Sequence, residues 1–294
     1  MAYIYPKKFS IFAYYKIDNV LKNIGDFLLN TDIYSWEIIS ILVAVGILVG
    51  FINTMAGMAT ALSYALFMAM GMPINVANGT IRVGVLSQFA VSSALFKKHG
   101  HLDLKLGAKV GVPVAIGSII GAQGAALVNP VVMEVIMGLM LPIMAYLLIF
   151  NKNKKRSQTS ENQWAYNLEI KKRQQIGVAK YIGFILIGVY GGFTHAGVGI
   201  LIIFGSFYML GLDLVKSNGI KQFAVLLYTP LALAVFIWHG QVNWPVALIY
   251  AVGNVTGAII ASQITVKKGS IVVNYVIAVA VCLMSFWLIY KQFI

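Results

Sequence analysis

Two apolar stretches of this chain are interrupted in the same way and in the same register. Gly188 to Gln222 reads GVYGGFTHAGVGILIIFGSFYMLGLDLVKSNGIKQ; it is broken at Gly191, Gly192, Gly197 and Gly199, with Thr194 and His195 at the break. Gly46 to Arg82 repeats the pattern around Ala56-Gly57. Ala56-Gly57 pairs with Ala196-Gly197, Gly71 with Gly211, and Asn78-Gly79 with Asn218-Gly219, each 140 positions apart. His99-Gly100 and His239-Gly240, Gly117 and Gly257, and Gln123 and Gln263 keep the same offset. One gapless register over that span marks an internal duplication in which each copy carries a broken helix. A helical glycine costs about 1 kcal/mol relative to alanine, so the breaks need a reason. Inside a bilayer an interrupted helix is tolerated only where its freed backbone faces protein or a water-filled cavity.

A bilayer is the expected surrounding. The 294 residues are 60% hydrophobic and 11% charged, against about 25% charged in a soluble domain. Mean hydropathy is +0.83. The net charge of +13 would suit nucleic acid, but the basic residues lie in short gaps between apolar runs, the pattern of cytoplasmic membrane loops. Nucleic acid is therefore set aside as a partner. Cys282, the single cysteine, lies in the last apolar run and cannot form a disulfide or cysteine metal site within one chain. No cleavable signal peptide is read at the start.

The expected architecture is all-α and polytopic, with two homologous, inverted repeats of five apolar segments each. Residues 1–35 read as an amphipathic surface helix, 36–150 as the first repeat, 151–176 as a basic cytoplasmic linker and 177–294 as the second repeat. The segments fall at 36–56, 58–70, 79–96, 106–128 and 131–150, then at 178–196, 198–210, 218–238, 244–266 and 270–290. Most reach the roughly 20 residues of a crossing. The second of each set is short, and the sequence leaves open whether it crosses fully. Lys152, Lys154, Lys155, Arg156, Lys171, Lys172 and Arg173 place the linker inside. Counting crossings from it puts Lys97, Lys98, Lys105, Lys216, Lys267 and Lys268 inside and leaves the outer turns uncharged. Corresponding loops swap their charge between copies, as opposite orientation requires. The N-terminal lysines then fall outside, against the rule but beyond its roughly 15–20-residue range.

No metal or catalytic constellation stands out. His99, His101, His195 and His239 are scattered, and no P-loop is present. The apolar segments hold only Glu37 and Glu134, read as interfacial and as a helix-dipole partner respectively. Lys109 reads as a snorkelling side chain. No cofactor is expected. The polar corners say more. Asn78-Gly79-Thr80-Ile81-Arg82 and Asn218-Gly219-Ile220-Lys221-Gln222 read as helix N-termini with free N–H groups, which form an anion site. A cation there opposes the dipole, and an anion between the corners would give it a reason. The bland alternative is that Arg82 and Lys221 reach headgroups or carbonyls at the interface. Asn53, Thr54 and Thr194 either line the breaks or satisfy their backbone. His195 reads as a hydrogen-bonded histidine ahead of a proton-coupling one.

The motifs YGGFTHAGVGILIIF, GLDLVKSNGIKQ, LLYTPLALAVFIWHGQVNW and AVGNVTGAIIASQ, with NTMAGMATALS, GMPINVANGTIRVGVLSQ and FKKHGHLDLKLG, resemble the sulfite exporter TauE/SafE family. The resemblance covers about residues 40–290. It implies a permease for small sulfur-containing or carboxylate anions such as sulfite, thiosulfate or an organosulfonate. Met58-Ala59-Thr60 in place of a glycine-richer break, Ile81 before Arg82, and the N-terminal extension depart from the family pattern.

The combined expectation is a secondary transporter working by alternating access in the cell (inner) membrane, its anion held between the broken helices by Asn53, Thr54, Asn78, Thr80, Arg82, Thr194, His195, Asn218, Lys221 and Gln222. The expected partners are a small anion and lipid, with a homo-oligomer left open. The competing class is a non-transporting anchor or assembly partner of a sulfur-metabolism complex, which would not need duplicated breaks.

Overall fold

The computed structural model describes residues 23, 25–133, 135–136 and 177–268. Residues 1–22 and 24 of the N-terminal tail, the basic linker, Glu134, Cys282 and nearly all of the apolar segments at 131–150 and 270–290 lie outside these residues. Among the described residues there is no strand. The chain runs through α1 (Trp36–Met55), α2 (Thr60–Ala69), α3 (Ile74–Lys98) and α4 (Leu104–Leu127), then α5 (Val178–Phe193), α6 (Val198–Phe204), a π-helical turn (Gly205–Met209), α7 (Leu214–Trp238) and α8 (Trp244–Lys268). Of these, α1, α3, α4, α7 and α8 are long and apolar enough to cross a membrane.

Helix starts follow capping chemistry. Ser35 accepts from the Ile38 N–H. Asp103 accepts from Lys105 and Leu106, and Asp213 from Lys216. Each satisfies a backbone donor that the first turn leaves orphaned. These caps correct one expectation. Pro73 and Asp213 start α3 and α7, and the first i−4 bonds are already Ala77 N–H to Pro73 and Ser217 N–H to Asp213. The corners at 78–82 and 218–222 therefore lie one turn inside their helices, where N–H groups are taken by the helix itself. They are not anion-binding N-termini. Asn-Gly does not end the helix, and Gly79 is there for space: a Cβ on it would lie 2.9 Å from Phe236 Cβ and meet the Gln241 carbonyl.

The main helix contacts join the first half of the chain to the second. α1 lies along α8, and α5 along α4. Small residues let the backbones approach, as is common between membrane helices. A Cβ on Gly46 would lie 2.7 Å from the Tyr250 carbonyl. Gly188 and Gly192 of α5 pack against the Val114 and Ser118 backbone of α4 in the same way. Between these pairs, α3 and α7 pack on each other and run antiparallel. Gly79, near the start of α3, meets Gln241 after α7, while Gly219, near the start of α7, meets His101 after α3. Gln241 also donates to Ala126 at the end of α4, at 2.9 Å. Left-handed glycines fall at 57, 71 and 100 and again at 197, 211 and 240. Outward-facing Ile116, Ile120, Leu186, Leu248 and Val252 are exposed, as a lipid-facing surface requires.

Candidate functional site

The site is the place where the two breaks meet. α1 stops at Met55, where the Ala56 and Gly57 N–H groups both fold back to the Ile52 carbonyl, and Gly57 takes φ 79°. Asn53 then ties α1 to α2: its Oδ1 accepts from the Ala59 N–H at 2.9 Å and its Nδ2 donates to Thr60 Oγ1 at 3.0 Å. α5 stops at Phe193, with Gly197 at φ 75° and His195 at φ 60°. A left-handed non-glycine residue is uncommon. Tyr190 Oη donates to the Ala196 carbonyl and Tyr64 Oη to the Thr194 carbonyl, both at 2.6 Å, pinning the turn.

At each break, carbonyls in the last turn of the first helix are met by a cation from the other half of the chain; the Gly191 carbonyl also accepts the His195 N–H at 3.0 Å. Lys221 Nζ, from α7, donates to the Asn53 and Thr54 carbonyls at 2.8 and 2.7 Å. Arg82 Nη2, from α3, donates to the Gly191 carbonyl at 3.2 Å and to the Gly192 carbonyl. A cation at a helix C-terminus complements the dipole. The alternative read from sequence placed these cations on headgroups or carbonyls at the interface, whereas the carbonyls they meet here are buried at the helix breaks. Both side chains are 0% exposed. Each also lies over an aromatic ring, Arg82 4.9 Å from the centroid of Phe236 and Lys221 5.5 Å from that of Phe89. Among the described residues every carboxylate is solvent-exposed, so neither cation has an acidic partner there.

The amides complete the cross-ties. Asn78 Nδ2 donates to the Phe193 carbonyl at 2.7 Å. Gln222 Nε2 donates to the Thr54 carbonyl at 2.8 Å and to Asn218 Oδ1 at 3.2 Å, and its Oε1 accepts from Ser92. His195 Nδ1 is hydrogen-bonded to Tyr228 Oη, and its ring stands edge-on to Phe89 with centroids 6.4 Å apart. Buried polar atoms without a protein partner cluster here: Arg82 Nε and Nη1, Asn78 Oδ1, Thr194 Oγ1, Gln88 Oε1 and Asn218 Nδ2.

The structure therefore brings together Asn53, Thr54, Asn78, Arg82, Thr194, His195, Asn218, Lys221 and Gln222. Thr80 is the exception. Its hydroxyl accepts from the Asn243 N–H at 2.9 Å and fixes the turn into α8. Among the glycines, Gly57 and Gly199 form the contact between the breaks. Gly191 and Gly192 supply the carbonyls for Arg82, and Gly197 supplies a left-handed turn. His99 and His239 only bond their own helix ends, at the Leu95 and Val235 carbonyls. Sequence reading passed over Tyr64, Gln88 and Tyr228. The 140-position offset was a usable signal for the last two, since Gln88 corresponds to Tyr228. Gln88 reaches Thr54 Oγ1 at 3.2 Å and Tyr228 reaches His195, each touching the break that precedes it in the chain.

No group of three or more His, Cys, Asp or Glu side chains able to hold a metal ion occurs among the described residues. What the arrangement offers is two positive side chains and several open hydrogen-bonding atoms at facing helix breaks.

Comparison with known proteins bears on the family. The family model described as sulfite exporter TauE/SafE matches residues 42–288. A "Probable membrane transporter protein ORF9" from a Sinorhizobium species is 22% identical over 244 residues, covering 82% of this chain and 88% of the relative. A "Probable membrane transporter protein" of Haemophilus influenzae is 20% identical, over 87% of this chain and 96% of its own. "Probable membrane transporter protein YdhB" of Bacillus subtilis is 25% identical, over 78% and 89%. No solved structure matches the chain. Multiple apolar helices and these relatives make this a multi-pass membrane transporter rather than an enzyme. The chain belongs to the sulfite exporter TauE/SafE family.

Proposed function

We propose that this transporter carries a small sulfur-containing or carboxylate anion, such as sulfite, thiosulfate or an organosulfonate, across the cell's inner membrane. The observation that carries the reading is the pair of fully buried cations, Arg82 and Lys221, with no buried carboxylate among the described residues. A buried charge without an ionic partner is costly, and intramembrane ionisable groups mark substrate paths. Backbone carbonyls offset part of that cost. An anion bound between the breaks would offset more and use the open donors of Arg82 and Asn218.

Arg82 ties binding to movement. A guanidinium grips two oxygens at once through one of two edges, Nε with Nη2 or Nη1 with Nη2. Both edges include Nη2, which is held by the Gly191 and Gly192 carbonyls. A forked grip on the anion therefore requires that the end of α5 let go. Alternating access follows naturally if the halves are inverted copies, with the substrate at their interface. The reciprocal Gly79–Gln241 and Gly219–His101 contacts support that arrangement.

The test is flux. Purified protein in proteoliposomes should move sulfite, thiosulfate or a sulfonate faster than protein-free vesicles, with saturation and mutual competition. Absence of flux and of binding across all these anions and oxalate would reject the reading.

A further inference from the structure

The carbonyls left open by broken membrane helices are where many inverted-repeat transporters coordinate sodium. At the end of α1 that position is already filled. Lys221 Nζ sits 2.8 Å from the Asn53 carbonyl and 2.7 Å from the Thr54 carbonyl, with the Phe89 ring 5.5 Å away. Main-chain carbonyls at the negative end of a helix, facing an aromatic ring, suit a monovalent cation. The ammonium is tethered by α7 and fully buried. Close packing holds its stem: a Cβ on Gly199 would lie 3.1 Å from Lys221 Cδ. The other break repeats the arrangement with Arg82 on the Gly191 and Gly192 carbonyls.

We infer that the end of α1 is a monovalent-cation site whose resident cation is the Lys221 ammonium, so that the transporter works without sodium or potassium at its broken helices. The side chain does what a dissolved ion does elsewhere, joining the end of one half's first helix to the other half. Removing the side chain opens the Asn53 carbonyl and leaves the Thr54 carbonyl with Gln222 as its donor, so an ion from solution can take the place of the ammonium on both. The inference concerns the carbonyls of Asn53 and Thr54 and stands apart from which anion, if any, is carried.

Thermal unfolding of the purified full chain in detergent tests it, in sodium, potassium, methylammonium and choline chlorides at equal ionic strength. The wild type should melt at the same temperature in all four. Lys221→Ala should melt roughly 5 °C or more lower in choline and recover saturably as sodium, potassium or methylammonium is added. Lys221→Met, whose apolar chain fills the same space, should fall without recovering. Saturable stabilisation of the wild type by sodium or potassium over choline would overturn the inference. So would a Lys221→Ala variant that responds no more than Lys221→Met. If Lys221→Ala does not fold, the wild-type melts decide alone: equal melting in all four salts supports the inference, and saturable stabilisation by sodium or potassium rejects it.

Discussion

A Cβ on Gly57 would lie 2.6 Å from the Cα of Gly199, and one on Gly199 would lie as close to the Cα of Gly57. The breaks of the two halves thus touch backbone to backbone, within the layer that carries Lys221. Gly57 is also left-handed, so a side chain there meets both strain and collision. Gly57→Ala and Gly199→Ala should each cost about 1–3 kcal/mol from overpacking and abolish or strongly reduce flux. Thermal melts and proteoliposome flux on the same preparations check this. Full flux from both variants would mean that the contact is only packing.

The antiparallel run of α3 and α7 sets which turns share a face. Cysteines introduced at Asn129 and His239 should be labelled from outside by an impermeant maleimide. Ones at Lys98 and Lys216 should be labelled only after the membrane is opened. The loop charges predict the sides, and the Gln241–Ala126 hydrogen bond already puts the first two positions at one end. Labelling of Lys98→Cys and His239→Cys from the same side would rule out opposite orientation of the two halves.

Helix packing gives a separate handle. Gly188→Leu should separate α5 from α4, because the Val114 backbone occupies the space a side chain would need. A loss of 1–3 kcal/mol is about the usual cost of forcing volume into a packed core. Gly100→Ala makes a useful contrast: no atom lies within 4 Å of the added Cβ, so its cost should come from the φ of 74° alone. A melt in which Gly100→Ala is the more damaging would contradict this view of the interface.

How much of this was legible beforehand depended on the kind of signal. The breaks were readable because Gly57 and Gly197 repeat at one offset, and the residues gathered around them came from the same register. Helix starts were misread at Asn78 and Asn218. Asn-Gly is a turn signal in water, whereas Pro73 and the Asp213 cap had already begun those helices. The grip of each cation on the opposite break was not legible. It depends on which helices face each other, and no local pattern states that Lys221 reaches Asn53. Thr80 illustrates the reverse case: it sits in the corner motif but points at Asn243. Tyr64 lies in an ordinary apolar helix, and only its bond to Thr194 identifies it.

The last prediction separates binding from bracing. Arg82 and Lys221 both hold helix ends, so removing either should lower the melting temperature whatever else it does. Losing charge-assisted bonds of about 1.5–3 kcal/mol each should appear as several degrees, at roughly 2–4 °C per kcal/mol in a chain of this size. If they also hold the anion, Arg82→Gln should raise the apparent Kd for sulfite or a sulfonate by about ten- to a hundredfold, measured well below the variant's melting point. Arg82→Lys should recover part of the stability, since it restores a positively charged donor on the side that faces the Gly191 and Gly192 carbonyls. It should recover less of the affinity, because a point charge lacks the two-donor edge. Lys221→Gln should weaken binding less than Arg82→Gln. Unchanged affinity in both Arg82→Gln and Lys221→Gln, with only the melts lowered, would leave the two cations as struts and remove the anion from between the breaks.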